Sequence, residues 1–544
     1  MKSIRYILFF LTAIVLSSCG KDFLDTEDLT NKNEGNYYST PEEAQTALTG
    51  CYDALQLIYD DGVATPVASD VMSDMCFGGT GAADGDGYPM MDEFNMNVSP
   101  GDVNLFEGNW KQFYKGIFRC NSLLINLDKV EWGDKADQKP IIEAEARFLR
   151  AYFYFDMVRM WEKVPLLTEP SAENIPQSEP DDIYSVVAED LLFAVENASK
   201  SPYSQIAASG YGHATKWAAE GMLARVFLFY TGYYGKDDLV GMVTKEQALG
   251  FVEDIITNGG FDLVPNYADL WPAAAQYEAA KNGKPIYDNT YAGETNQEVV
   301  FSIKYTYTSD YNGNTDGNQW LVMNGLRKQS WIPNGYGSGW GANTVVPEVY
   351  QNWDASDTRR DASIMAISEE SINYEQINDV KEYTGYFTKK YIPLCDTAGN
   401  STAVELGGVN FMIGQYQDYF VIRFADVLLM AAELGSANAL TYLNKVRERA
   451  KAEPVGGVTK DVIFEERRLE FAFEGIRYYD LLRYDNTLQY AASKVSYSGT
   501  VLTGGAQYTK TIDGSYLKLT RGLCQIPNNQ ITLSGGVLVQ NTGW

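Results

Sequence analysis

The sequence predicts a mostly α-helical chain of stacked helical hairpins, with long irregular loops and a few short strands. Three observations predict it. In "PIIEAEARFLRAYFYFDMVRMW", Ala144, Phe148, Ala151, Phe155 and Val158 step by four and three residues and so fall on one face of an amphipathic helix. Comparable blocks recur along the chain, mostly as close pairs, and carry small residues such as Ala218, Ala219, Ala224, Ala431 and Ala432 where neighbouring helices can approach closely. Between them, residues 62–103 and 303–346 are rich in Gly, Asn, Asp and aromatics and show no helical period.

The elements follow in order. Lys2 and Arg5 precede an apolar run from Ile7 to Leu16, about half of the roughly 20 residues that span a bilayer. Leu16, Ser17, Ser18 and Cys19 match a bacterial lipobox. Residues 1–18 are therefore expected to be a lipoprotein signal peptide, Cys19 the acylated first residue of the mature chain, and residues 19–35 a polar, acidic linker. At about 0.8 kcal/mol per buried methylene, several acyl chains on one cysteine make such an anchor effectively permanent. Residues 36–544 are read as a single body, since no Pro- or Ser-rich linker divides them. Helices are expected over 41–59, 104–128, 140–161, 181–198, 213–230, 244–258, 422–434, 437–450 and 461–484. "NQEVVFSIKYTYT" and "VLVQN" read as short strands. The paired helices resemble tetratricopeptide-type packing, although no clean 34-residue repeat is visible.

Composition narrows function. The formal net charge is −29, or −31 once Lys2 and Arg5 leave with the signal, which argues against nucleic acid and anionic lipid surfaces as partners. With Cys19 assigned to lipid, Cys51, Cys76, Cys120, Cys395 and Cys524 remain, an odd number without CxxC spacing; they are expected to be small buried hydrophobes, not a disulfide framework or zinc site. His213, the single histidine, sits at the mouth of a helix in "GYGHATKWAAE" and is read as a helix-start polar residue. Glu466, Glu470 and Glu474 lie four apart in one helical block, with Arg477 and Arg483 following; this is read as a packing and salt-bridge face, because catalytic carboxylate pairs reach a cleft from separate elements.

The ligand candidates lie in the irregular stretches. Sugar rings present an apolar C–H face and a fringe of hydroxyls, so their receptors use flat aromatic platforms beside amide, carboxylate or guanidinium groups. "DGNQWLVMNGLRKQSWIPNGYGSGW" offers Trp320, Trp331, Tyr336 and Trp340, with Arg327 and Asn334 among the polar flanks; Asn318, Gln319, Asn324 and Asn343 are further amides. The earlier stretch adds Tyr88 and Asp86, near Phe77 and Asp84. No cofactor is expected. Calcium is the one metal that "DGDG" would suit, but the spacing of a full calcium loop is missing.

Taken together, "EAEARFLRAYFYFDMVRMWEKVPLL", "ATKWAAEGMLARVFL", "IRFADVLLMAAEL", "ALTYLNKVRERA", "EERRLEFAFEGIRYYDLLRY" and "QIPNNQI" with "VLVQNTGW" resemble, in order along nearly the whole chain, the SusD/RagB family of outer-membrane nutrient-binding lipoproteins. The resemblance implies a helical scaffold carrying an irregular ligand-binding part, cell-surface exposure on the outer membrane, no catalytic activity, and delivery of captured oligosaccharide to a SusC-type TonB-dependent transporter. Some members take peptide instead. Ligand residues vary within the family, so none is carried over; one departure is His213, where arginine is common. The alternatives are a peptide-binding uptake lipoprotein of the same family and a surface glycoside hydrolase with two loop carboxylates.

Overall fold

The computed structural model describes residues 37–60, 63–85, 87–94, 104–285, 288–327 and 335–544. The signal peptide, Cys19, the linker, Asp86, Trp331 and Asn334 lie outside the described residues. The scaffold is a succession of helices, α1 (Pro41–Asp60), α2 (Glu107–Asn126), α3 (Gln138–Trp161), α4 (Pro180–Asn197), α5 (Lys216–Tyr234) and α6 (Lys245–Asn258), each from α2 onward packed on its predecessor. It continues with α7 (Phe424–Leu434), which packs on α6, then α8 (Ala439–Arg449), α9 (Lys460–Glu470) and α10 (Arg477–Tyr484), the last returning to α5.

The central members are apolar nearly all round, as burial on two sides requires. In α3 every residue from Phe148 to Met160 is buried except Arg159, which is half-buried, and Trp161 closes the helix inside the core. Ala218, Ala219 and Ala224 of α5 are fully buried between neighbours, the close approach their size permits. The fold class read from the sequence is thus the observed one: mostly helix, in tetratricopeptide-like hairpins. Cys51, Cys76, Cys120, Cys395 and Cys524 are buried and form no disulfide with one another.

Helix ends follow local chemistry. Thr244 caps α6: its hydroxyl accepts from the Gln247 amide at 3.3 Å while the Gln247 side chain accepts from the Thr244 amide at 2.9 Å. Thr244→Ala is expected to lower stability by about 1 kcal/mol, read as a shift in the denaturant midpoint at unchanged slope.

Two sequence expectations differ from the structure. The block 461–484 is two helices, because the chain turns at residues 471–476, with Phe473 and Gly475 at positive φ. A Cβ on Gly475 would stand 2.9 Å from Pro66 Cα, so the break brings the backbone against a distant segment that only glycine admits. "VLVQN" is irregular; the Gln540 side chain ties it to both the amide and the carbonyl of Ile526.

Strands are short. They include β1 (Cys76–Gly78), β2 (Val299–Ile303), β3 (Asn343–Val345), β4 (Ile364–Ala366), β5 (Tyr386–Thr388) and β6 (Tyr419–Arg423), while Leu326–Arg327 with Ser338–Gly339 and Tyr497–Thr503 with Ala506–Ile512 form two separate pairs. β2 pairs with β6 against the helical core. The other four form an antiparallel sheet in the order β1-β3-β5-β4, with Phe77 opposite Thr344 and Met365 opposite Phe387.

Candidate functional site

The β1–β3 pair brings the two irregular stretches together. Beyond Gly78 and before Asn343 the chains remain in contact: the Gly79 amide donates to the Ala342 carbonyl at 2.8 Å. From the second stretch, residues Leu326–Arg327 pair in parallel with Ser338–Gly339, so Trp340 follows directly on the strand beside Arg327. The Trp340 amide is held by the Val322 carbonyl at 2.7 Å. Its ring stands 38% exposed on this fixed backbone.

Arg327 welds three segments. Its Nε donates to Asp379 at 2.9 Å, its Nη1 lies 3.0 Å from Asp84, and the Tyr374 hydroxyl donates to its carbonyl at 3.2 Å. Asp84 also accepts from the Gly81 amide at 2.9 Å. The guanidinium fills the space that a side chain on residue 81 would need: a Cβ there would stand 2.0 Å from Arg327 Nη2, so this approach needs glycine. A guanidinium paired with two carboxylates is a rigid support, and its commitment leaves it less free for ligand than the sequence reading expected.

The helix Gly87–Glu93 is tied down from beneath. Asp92 accepts from the Gly78 amide at 3.0 Å and from Lys510 Nζ at 2.9 Å. Burial outweighs Lys510 and pushes the Asp92 carboxyl up to about 7. Tyr88 is half-buried, its hydroxyl accepting from the Ala64 amide at 3.3 Å.

The structure corrects the expectation of an open ring face at Trp320 and Tyr336. Trp320 is buried among Tyr391 and Tyr419, with centroids 5.2 and 5.5 Å away. Tyr336 is fully buried and donates to Glu370 at 2.8 Å. Asn318 and Asn324 are structural as well, donating to the carbonyls of Gln417 and Tyr391, both at 2.8 Å. Two aromatics on the same stretch were missed: Tyr307 is 37% and Tyr311 68% exposed, and the Tyr311 hydroxyl accepts from Asn410 at 2.6 Å. They fall in "KYTYTSDYNGNTDG", whose first half reads as a continuing strand; the strand ends at Ile303, and the Asp-Asn-Gly turn chemistry after it was the available signal.

The acidic stripe belongs to the scaffold. Arg423 donates to Glu474 (2.8 Å), Glu298 (2.5 Å) and Glu470 (2.9 Å), and Arg359 to Glu466 (2.5 Å), all essentially inaccessible to solvent. His213 Nδ1 bonds Glu145 at 2.6 Å, and Thr215, two residues on, is the true cap of α5.

Known proteins share this architecture. Residues 367–544 match the model of the SusD family, and residues 87–228 match a model described as starch-binding associating with outer membrane. A SusD-like protein of Bacteroides ovatus is 27% identical over 502 residues, covering 89% of this chain and 82% of its own. A solved laminarin-binding SusD-like protein is 26% identical with a TM-score of 0.72, spanning 93% of this chain and 100% of that one. Surface glycan-binding protein A from Bacteroides thetaiotaomicron, solved with laminarihexaose, shares the fold over the same proportions at 23% identity and a TM-score of 0.73. With the helical hairpins and these matches in agreement, the chain belongs to the SusD/RagB family.

Proposed function

We propose that this protein is a non-catalytic, cell-surface glycan receptor. Cys19 carries the lipid that holds it on the outer membrane, and captured oligosaccharide passes to a SusC-type TonB-dependent transporter. The observation that carries the reading is Trp340: an exposed indole on a backbone fixed by two strands and braced by the Arg327–Asp84–Asp379 cluster, a geometry suited to stacking on a pyranose face. Trp331, Asn334 and Asp86, which lie outside the described residues, and Tyr88 remain proposed ligand residues. The 26%-identical relative that binds laminarin makes β-glucan oligosaccharides the first probes.

Calorimetry of the purified protein with laminarin oligosaccharides, other glycans and peptides tests the reading. Trp340→Ala is expected to weaken the glycan that binds by about 1–3 kcal/mol, with thermal unfolding unchanged. Peptide binding in place of glycan, or new reducing ends on incubation with the bound oligosaccharide, would reject it.

A further inference from the structure

A cavity of about 230 Å³ opens between α1, the Tyr211–His213 turn and the chain just beyond β2. None of the residues argued above for glycan capture lines it. Its aromatic wall is rigid. Tyr52 and His213 meet edge to face with centroids 5.2 Å apart, and both bond the same Glu145 oxygen, the Tyr52 hydroxyl and His213 Nδ1 each at 2.6 Å. The Tyr52 hydroxyl also accepts from the Ala214 amide at 2.7 Å, so the ring is held at both its donor and acceptor sides. Tyr211, half-buried, adds a further ring to the lining. A concave, preformed, ring-lined space with a few convergent polar groups is what small-ligand sites share.

Charge narrows the ligand. Around the cavity Arg119 pairs with Asp53, and His213 with Glu145. Lys304 pairs with Asp418, behind which Glu294 accepts from the Asp418 amide at 3.0 Å. Asp316, half-buried on the lining, has no cationic partner among the described residues. The wall therefore carries an unbalanced carboxylate; burial, with the charge of Asp53 adding to it, holds that carboxyl above the usual range. A bound ammonium would supply the missing countercharge in a partly desolvated place, where it is worth more than in water.

We propose that this cavity is a second ligand site, taking a compact organic cation of about one pyranose in size, a protonated amino sugar, with its ammonium toward Asp316 and its apolar face on the Tyr52–Tyr211 wall. The volume suits one ring. Imidazole Nε2 of His213, the ring nitrogen not bound to Glu145, stands available to a sugar hydroxyl.

Calorimetry of the full-length protein at pH 7 with glucosamine, N-acetylglucosamine and glucose tests the site. Glucosamine should bind at least tenfold more tightly than the two neutral sugars. Asp316→Asn should remove that preference, and Tyr211→Ala should weaken glucosamine at least fivefold. Trp340→Ala, confirmed folded by its unfolding temperature, should leave glucosamine affinity unchanged. Equal affinity for all three sugars would overturn the charge assignment; absence of glucosamine binding, or undiminished binding in both cavity variants, would overturn the site.

Discussion

Replacing Arg423 with methionine is expected to cost about 3–5 kcal/mol of folding stability, the range for removing one partner from a buried ion network. Arg423 lies at the end of β6 and is 1% exposed. It sits among Glu298, Glu470 and Glu474, while Arg449, 3.0 Å from Glu298, Arg359 and Lys390 complete the group from other elements. With Asp357, Glu466 and Arg447 the network holds five cations against five carboxylates. Balance is what makes it tolerable away from water; deletion of Arg423 strands a carboxylate in a place that cannot hydrate it. The charge-assisted bonds also set geometry, since they join β6 to the break between α9 and α10. Urea unfolding should show the midpoint fall with the slope conserved. Adding Glu474→Gln to Arg423→Met should recover part of the loss, because it removes the stranded charge. A loss under about 1 kcal/mol in the single variant would mean that water reaches the network and that it plays no such part. Lys111→Met, at an exposed i,i+4 pair with Glu107, should change stability by less than about 0.5 kcal/mol.

Much of this scaffold was legible in the sequence, because an amphipathic helix writes its buried face locally. Blocks such as 41–59 and 244–258 match α1 and α6 nearly to the residue. The Glu466/Glu470/Glu474 stripe was legible as an ion-pair face for the same reason, although its partners Arg359, Lys390 and Arg423 were not. What fails locally is anything decided by a distant segment. Trp320 looks like a platform until Tyr391 and Tyr419 close over it, and the helix break at Gly475 is set by contact with Pro66. Aromatic chemistry is the same inside and outside a protein, so a Gly/Asn-rich loop marks the neighbourhood of a binding surface without saying which rings face solvent. Hence Trp340 is exposed as expected, Tyr336 is not, and Tyr307 and Tyr311 were overlooked.

Stability should pass through a maximum near pH ~5 and fall on both sides, because buried carboxyls of two kinds oppose each other. Burial pushes Asp70, Glu220 and Glu294 up to about 8 and Asp92 to about 7, with the charge of Asp418 adding to the effect at Glu294. In the unfolded chain such groups titrate near pH ~4. Between roughly pH 4 and 8 the folded state therefore holds protons that the unfolded state has released, so stability declines as pH rises through that window and levels off above it. Glu470 and Asp426 behave in the opposite way: despite burial, the arginines beside them hold their carboxyls far below the usual range. Their contribution is complete above the unfolded value and is lost as pH falls below about 4, where the unfolded chain takes up protons first. Each group can contribute up to about 1.4 kcal/mol per pH unit, so the alkaline limb should fall by at least about 1 kcal/mol per unit between pH 5 and 7. Urea midpoints at pH 3.5, 5, 6.5 and 8 give the profile directly. Asp70→Asn, which keeps an oxygen for the Gly475 amide now 3.2 Å from Asp70 Oδ1, and Glu294→Gln should each flatten that limb without moving the acid one. A steady rise in stability from pH 5 to 8 would show these carboxyls ionised in the fold, and would mean that the lysines beside Asp92 and Glu220 outweigh the burial of the group.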